Sequence, residues 1–254
     1  MKVTIKINPK YAHLREFIAQ IPTIMDEGGT YIYGGRRNLI KRFEAPDGTM
    51  VNVKRFKQPQ FLNNIIYSTG IRQPKGIRAF TYPERLLAKG ITTPEAIAYI
   101  EYRNAIGLLQ QSYFISLQCP YRHLLYELGD ATPEVYEPIA KALGKYAAYM
   151  HEQEVLHLDF SPGNILWDQD AEGAYHFSIV DINRMRFGAV DIESGCKNFC
   201  RLWGPKRFIQ LLVETYAEAR HFDPALCVDI TMKARADFWR RYQKKREIEF
   251  KLEL

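Results

Sequence analysis

Apolar and polar residues alternate with a period of two in much of the first hundred residues, then recur every three to four. Met1-Lys2-Val3-Thr4-Ile5-Lys6-Ile7 alternates like a strand. Thr30-Tyr31-Ile32-Tyr33 is a second short strand, broken by Gly34-Gly35-Arg36-Arg37-Asn38, and Leu39-Ile40-Lys41-Arg42-Phe43 resumes the extended pattern. Asp47-Gly48 is a hairpin signal, because both residues tolerate the positive φ of a tight turn. Met50–Phe56 then makes the third strand of an antiparallel meander. A helix is expected around Tyr82 to Lys89, stopped by Gly90, with strands at Ala96–Ile100 and Ser112–Leu117.

The period changes after Cys119-Pro120, which reads as a connector. Val135, Ile139, Leu143, Tyr146 and Met150 share one helical face, and Thr132-Pro133 supplies a start, since proline fits the first helical turn. Later helices are expected over Phe208–Ala219 and Ala234–Phe250. No repeat or low-complexity segment interrupts the order. The fold class is therefore α+β: a small antiparallel-sheet lobe with one helix over residues 1–118, and a mostly helical lobe over 119–254.

The segment between the two long helical patterns holds the densest chemistry. In His157-Leu158-Asp159-Phe160-Ser161-Pro162-Gly163-Asn164-Ile165-Leu166-Trp167 an aspartate and an asparagine stand five positions apart around a Pro-Gly turn. Asp181 follows the apolar run Phe177-Ser178-Ile179-Val180. Phosphoryl transfer of the protein-kinase type uses such a set: a carboxylate toward the acceptor hydroxyl, and an amide oxygen and a second carboxylate toward magnesium. Asp159 is the candidate catalytic carboxylate, and Asn164 and Asp181 are the candidate metal ligands. A plain turn would also use Asp, Pro, Gly and Asn, but the upstream lysine and downstream Asp181 fall in the order the chemistry requires. His157 is expected to prop the loop by hydrogen bonding.

Lys54 lies on the third strand with Asn52, on the face opposite Val51 and Val53, where it could hold the phosphates of ATP. Glu84, on the following helix, is its expected carboxylate partner. Gly34 and Gly35, followed by two arginines, could fold over the phosphates or form an ordinary hairpin turn. The sequence holds no GxxxxGK[ST] and this loop does not match GxGxxG, so both readings stand.

These residues carry a resemblance. Val53-Lys54-Arg55-Phe56-Lys57, Lys89-Gly90-Ile91-Thr92-Thr93-Pro94-Glu95, Asp159–Leu166 and Val180-Asp181-Ile182-Asn183-Arg184-Met185 resemble the lipopolysaccharide-core kinases, the Kdo and heptose kinase branch of the protein-kinase-like fold. The similarity runs from about Tyr31 to Arg186. It implies a two-lobed kinase-like fold and transfer of phosphate, dependent on ATP and Mg2+, to a sugar hydroxyl on the lipopolysaccharide inner core. By that analogy Lys54 contacts phosphates, Asp159 is the catalytic carboxylate, and Asn164 and Asp181 bind metal. Ser161 stands where Ser/Thr protein kinases carry lysine, Asn183 replaces the glycine of Asp-Phe-Gly, and no Ala-Pro-Glu segment follows, all of which argues against a peptide substrate. Aminoglycoside and choline kinases share a similar loop, so a small-molecule kinase is the alternative, and a non-catalytic kinase-like binding protein a further one.

Composition adds a partner and a place. The chain has 254 residues and a net charge of +6. Lys233, Arg235, Arg240, Arg241, Lys244, Lys245 and Arg246 face a single acid, Asp237, in their window, which alone accounts for that surplus. With Phe238, Trp239, Tyr242 and Phe250 this basic segment suits an anionic membrane surface or the phosphates of a lipid-linked sugar, while a solvated helix packing its aromatics on the core is the simpler alternative. No aromatic-basic RNA-binding motif is present, so no nucleic-acid partner is expected. No apolar run reaches the roughly 20 residues of a membrane span, and the start lacks a secretory apolar core. A cytoplasmic protein, peripheral at the inner face of the membrane, is the expectation. The four cysteines lack paired CxxC spacing and read as reduced thiols.

Overall fold

The alternating segments pair as one antiparallel sheet. In the computed structural model, which describes residues 1–34, 38–58, 73–248 and 252–254, the strands are β1 (Lys2–Ile7), β2 (Thr30–Gly34), β3 (Asn38–Glu44), β4 (Met50–Phe56), β5 (Ala96–Arg103) and β6 (Leu109–Leu117). They lie in the order β1-β5-β6-β4-β3-β2. The Asp47-Gly48 turn closes β3 on β4: Gly48 has φ +83°, and Asp47 accepts a hydrogen bond from the Thr49 amide at 2.9 Å.

Among the described residues two helices serve this sheet, one more than the sequence reading gives. Helix α1 (Arg15–Glu27) places Ile18, Ile21 and Met25, all fully buried, against Val51, Val53, Ile97, Ala98, Ile100 and Ile115. Its i, i+3, i+7 stripe was legible as a helix face, but Pro22 in its interior resembles a breaker. Helix α2 (Lys75–Leu87) starts seven residues before the expected Tyr82. It packs on the other face, with Gly76 so near Tyr99 that a Cβ would lie 2.3 Å from the ring. The register row Lys54–Phe114–Tyr99 points to that second face.

By its contacts the chain divides into Met1–Pro120 and Tyr121–Leu254. The second unit holds β7 (His123–Leu124), α3 (Pro133–Glu152), β8 (Val155–His157), β9 (Ile165–Gln169), β10 (Tyr175–Ile179), β11 (Met185–Phe187), α4 (Ile192–Asn198), α5 (Lys206–Ala219) and α6 (Pro224–Gln243). Helix α3 buries Tyr136, Ile139, Leu143, Ala147 and Met150, whereas Val135, expected on that face, is 48% exposed. The stripe begins at Tyr136, one position on. Helices α3 and α5 touch backbone to backbone, since a Cβ on Gly144 would meet the Leu212 carbonyl at 2.4 Å. Helix α6 runs ten residues ahead of the expected start. Asp223 caps it by accepting from the amides of Ala225 (2.8 Å) and Leu226 (3.3 Å), with Pro224 at its first turn. Among the described residues no helix is long and apolar enough to cross a membrane.

Candidate active site

Asp159, Asn164 and Asp181 are brought together by two β-connections of the second unit. β8 pairs with β11, and β9 pairs with β10, so the segments leaving β8 and β10 run side by side. Val180, just before Asp181, ties them: its amide donates to the Asn164 carbonyl at 3.0 Å, and its carbonyl lies 3.0 Å from His157 Nε2. The Asp159 amide donates to His157 Nδ1 at 3.1 Å. That bond requires Nδ1 to be unprotonated, so Nε2 carries the hydrogen and donates to Val180. His157 is fully buried, and burial lowers its pKa, against the Val180 carbonyl and the charges of Asp181 and Asp159, which raise it. It is a neutral brace, as its position in the sequence suggests.

The Pro162–Asn164 turn fixes the asparagine. Asn164 Nδ2 donates to the Asp159 carbonyl at 2.9 Å and lies 3.3 Å from Ser161 Oγ, leaving Oδ1 as an open oxygen donor. Asp181 sits at φ +55°, a left-handed conformation that costs a non-glycine residue about 1 kcal/mol and is held here by its surroundings. Asn183 Nδ2 donates to Asp181 Oδ1. No group of three His, Cys, Asp or Glu side chains able to hold a metal exists among the described residues. An amide oxygen and a carboxylate are nevertheless a fitting set for magnesium, which prefers hard oxygens and fills its octahedron with water and phosphate.

Residues far from the motif complete its support. Asn198, the last residue of α4, donates from Nδ2 to the His157 carbonyl at 2.8 Å, and its Oδ1 lies 3.2 Å from His151 Nε2. His151 Nδ1 is 3.0 Å from the Tyr216 hydroxyl, which in turn accepts from Arg220 at 3.1 Å. The directions follow from the ends inward: Arg220 to Tyr216, Tyr216 to His151, His151 to Asn198, Asn198 to His157. Burial pushes the His151 pKa down to about 4. Gly195 leaves room for this chain, because a Cβ there would sit 2.1 Å from the Tyr216 hydroxyl. Two arginines flank Asp159 itself: Arg201 Nη1 at 2.9 Å from Oδ1 and Arg184 Nη1 at 3.3 Å from Oδ2. Arg201, Asn198, His151 and Tyr216 carry no local sequence signal; they are spread over α3, α4, the turn after it, and α5.

In the first unit, Lys54 is half-buried on β4 between Ile40 and Phe114, with its Nζ 5.4 Å from the Phe56 ring centroid. Glu84 does not join it. The buried side of α2 is Gly76, Arg78, Ala79, Pro83 and Leu86, so Glu84 is exposed, and no ion pair links it to Lys54 among the described residues. Gly34 ends β2 opposite Leu39, and its carbonyl accepts from the Tyr31 hydroxyl at 3.1 Å. Gly35 lies outside the described residues.

The basic segment also changes. Arg235 is fully buried, donating from Nε to the Leu202 carbonyl at 2.9 Å, and Trp239 is buried too. Lys233 pairs with Asp229 at 2.6 Å, and Phe238 lies under Arg201 at 5.0 Å. Arg240, Arg241, Lys244, Lys245 and Arg246 are exposed, as is the ion-paired Lys233; Phe250 lies outside the described residues.

Comparison with known proteins agrees in one direction. The family model described as lipopolysaccharide kinase (Kdo/WaaP) matches residues 35–202, a span that includes Lys54, Asp159, Asn164, Asp181 and Arg201. A solved WaaP in complex with acyl carrier protein is similar in fold, with 17% identity, a TM-score of 0.58, and coverage of 97% of this chain and 100% of that one. The Rio2 kinase–ADP/Mg2+–phosphoaspartate complex from Chaetomium thermophilum is also similar, at 13% identity and a TM-score of 0.50, covering 96% of this chain and 82% of that one. No curated protein matches the chain.

Proposed function

The chain belongs to the lipopolysaccharide kinase (Kdo/WaaP) family, and from that premise we propose that it transfers the γ-phosphate of ATP to a Kdo or heptose hydroxyl of the lipopolysaccharide inner core. Family membership and the kinase-like fold make it a phosphotransferase acting on lipopolysaccharide core; the sugar acceptor is our reading. The observation that carries it is the Val180 tie, which holds the segments of Asp159, Asn164 and Asp181 in one hydrogen-bonded knot.

In this reading Asp159 orients the acceptor hydroxyl and accepts its proton as the oxygen bonds to the transferred phosphorus and ADP leaves. Asn164 Oδ1 and Asp181 would hold Mg2+, which when bound neutralises phosphate charge. Lys54 would hold the nucleotide phosphates from the first unit, and the turn that begins at Gly34 would serve them. The lobe assignment follows: a nucleotide-binding unit, then a unit carrying the metal and acceptor sites. The exposed cations from Arg240 to Arg246 suit the anionic inner face of the cytoplasmic membrane, where a lipid-linked acceptor would reside. Because one relative was solved with an acyl carrier protein, a carrier-protein partner is part of the proposal.

The test is incubation of the purified protein with labelled ATP and a panel of Kdo- and heptose-bearing acceptors, read by mass. Phosphate on a core sugar supports the reading. Phosphate only on free amino sugars or choline would replace it with a small-molecule kinase.

A further inference from the structure

We infer that Arg184 and Arg201 form an anion site for the acceptor, so that the preferred acceptor carries a carboxylate or phosphate next to the hydroxyl that reacts; this rests on the kinase reading of Asp159. Each guanidinium gives one nitrogen to Asp159, at 3.3 Å from Arg184 and 2.9 Å from Arg201. The Arg184 guanidinium makes no other hydrogen bond or ion pair among the described residues, and that of Arg201 adds only a cation–π contact with Phe238. A guanidinium has five N–H donors in a planar fork, so most of the donors of both remain open. Both are reachable, with side chains 46% and 33% exposed, while the carboxylate between them is 23% exposed.

The fold places both cations deliberately close. Arg184 precedes β11, and its carbonyl accepts from the Leu158 amide at 2.8 Å, which sets it beside Asp159. Arg201 ends a 3-10 turn whose Phe199 is fully buried against Phe160 at 6.0 Å, and Phe160 follows Asp159 in sequence. The Phe238 ring lies 5.0 Å from the guanidinium carbon of Arg201, a cation–π contact that helps hold it in place. Two guanidinium charges share the single carboxylate of Asp159, an excess of one positive charge within this cluster where the acceptor hydroxyl must come. A neutral acceptor would leave that charge uncompensated. An acidic substituent would take up the open donors bidentately and hold the hydroxyl against Asp159. If the arginines served only to orient Asp159, one buried partner would suffice; two exposed forks with open edges fit a ligand.

The experiment compares acceptors with the variants Arg201→Gln, Arg184→Gln and Arg201→Lys. Each acceptor is offered intact, with its sugar carboxylates reduced to alcohols, and with its phosphates removed, which separates the two anion sources. For the wild type, kcat/KM should fall about 10- to 100-fold on removal of the anion that binds. In the Gln variants this preference should collapse to within about threefold, mostly through KM, and Arg201→Lys should keep part of it because it retains charge without the fork. Equal losses on all acceptors, with the preference intact, would overturn the proposal and make the arginines positioning residues for Asp159. Should no core acceptor be phosphorylated, the kinase reading fails separately. Calorimetric binding of the intact and reduced acceptors to wild type and Arg201→Gln then decides the anion site alone: equal affinity of the wild type for both overturns it.

Discussion

Lys54 and Asp159 are positioned in opposite ways. Lys54 stands in an unbroken ladder, β3-β4-β6, where the pleat alone sends it to the face away from Val51 and Val53. Asp159 stands in irregular chain between short strands, and its backbone is fixed by His157, Asn198, His151 and Tyr216, drawn from across the second unit. A regular element positions a side chain by period, and its neighbours tolerate change. An irregular one positions it by a chain of buried polar bonds in which every link matters. The sheet residue should therefore respond to its own substitution, and the loop residue to substitutions far away.

The largest effect is expected at the carboxylate. Asp159→Ala should lower kcat by about 10²–10⁴-fold, the range for loss of a general base. Nucleotide and Mg2+ should still bind, since Asn164 and Asp181 remain, and their binding should still raise the melting temperature. Retained turnover in single-turnover assays would remove Asp159 from the mechanism.

Next comes a remote change that tests the contrast. Asn198→Leu leaves the His157 carbonyl and the His151 Nε2–H without partners in a buried region, a loss of about 3 kcal/mol from two unpaired groups. It should also lower kcat, because the His157 brace holds the Asp159 amide. Denaturant unfolding and kcat measured together decide: lost stability with unchanged kcat would mean that the buried chain supports the fold but not the loop.

What the sequence made legible divides along the same line. Strand pattern placed β1 to β6 and the face of Lys54, and turn chemistry placed Asn164, because those features are written locally. Helix α1 and the first ten residues of α6 were written in local signals that a proline obscured or that the cap Asp223-Pro224 carried alone. Arg201 and Asn198 had no such signal. They meet the motif through the packing of Phe199 on Phe160 and the hydrogen bond to His157, contacts between positions about 40 residues apart. Glu84 was placed by spacing alone, and the burial of Gly76, Arg78, Ala79, Pro83 and Leu86 leaves it on the exposed side of α2.

The buried chain has a pH signature of its own. His151 is held neutral, with its folded pKa lowered to about 4 from an ordinary 6.5. Between those values the unfolded state binds the proton and the folded state does not, so stability is fully present above about pH 6.5 and is lost as pH falls toward 4. The lowered value corresponds to roughly 3 kcal/mol. His157, lowered in the same direction by burial, adds to the slope. Melting temperature should therefore drop from pH 7 to pH 4, and less steeply in His151→Gln. An unchanged slope in that variant would place the acid sensitivity elsewhere.

The smallest effect concerns the first unit and is the sharpest test of how it works. Lys54→Ala should raise the nucleotide KM by about 10- to 100-fold, as expected for losing a cation from the phosphates. Glu84→Gln should change it by less than about threefold, since Glu84 is exposed and unjoined to Lys54. If Glu84→Gln costs as much as Lys54→Ala, and the double variant costs no more than either alone, the two act as a pair once nucleotide binds. Additive and unequal losses would mean that Glu84 takes no part in positioning Lys54.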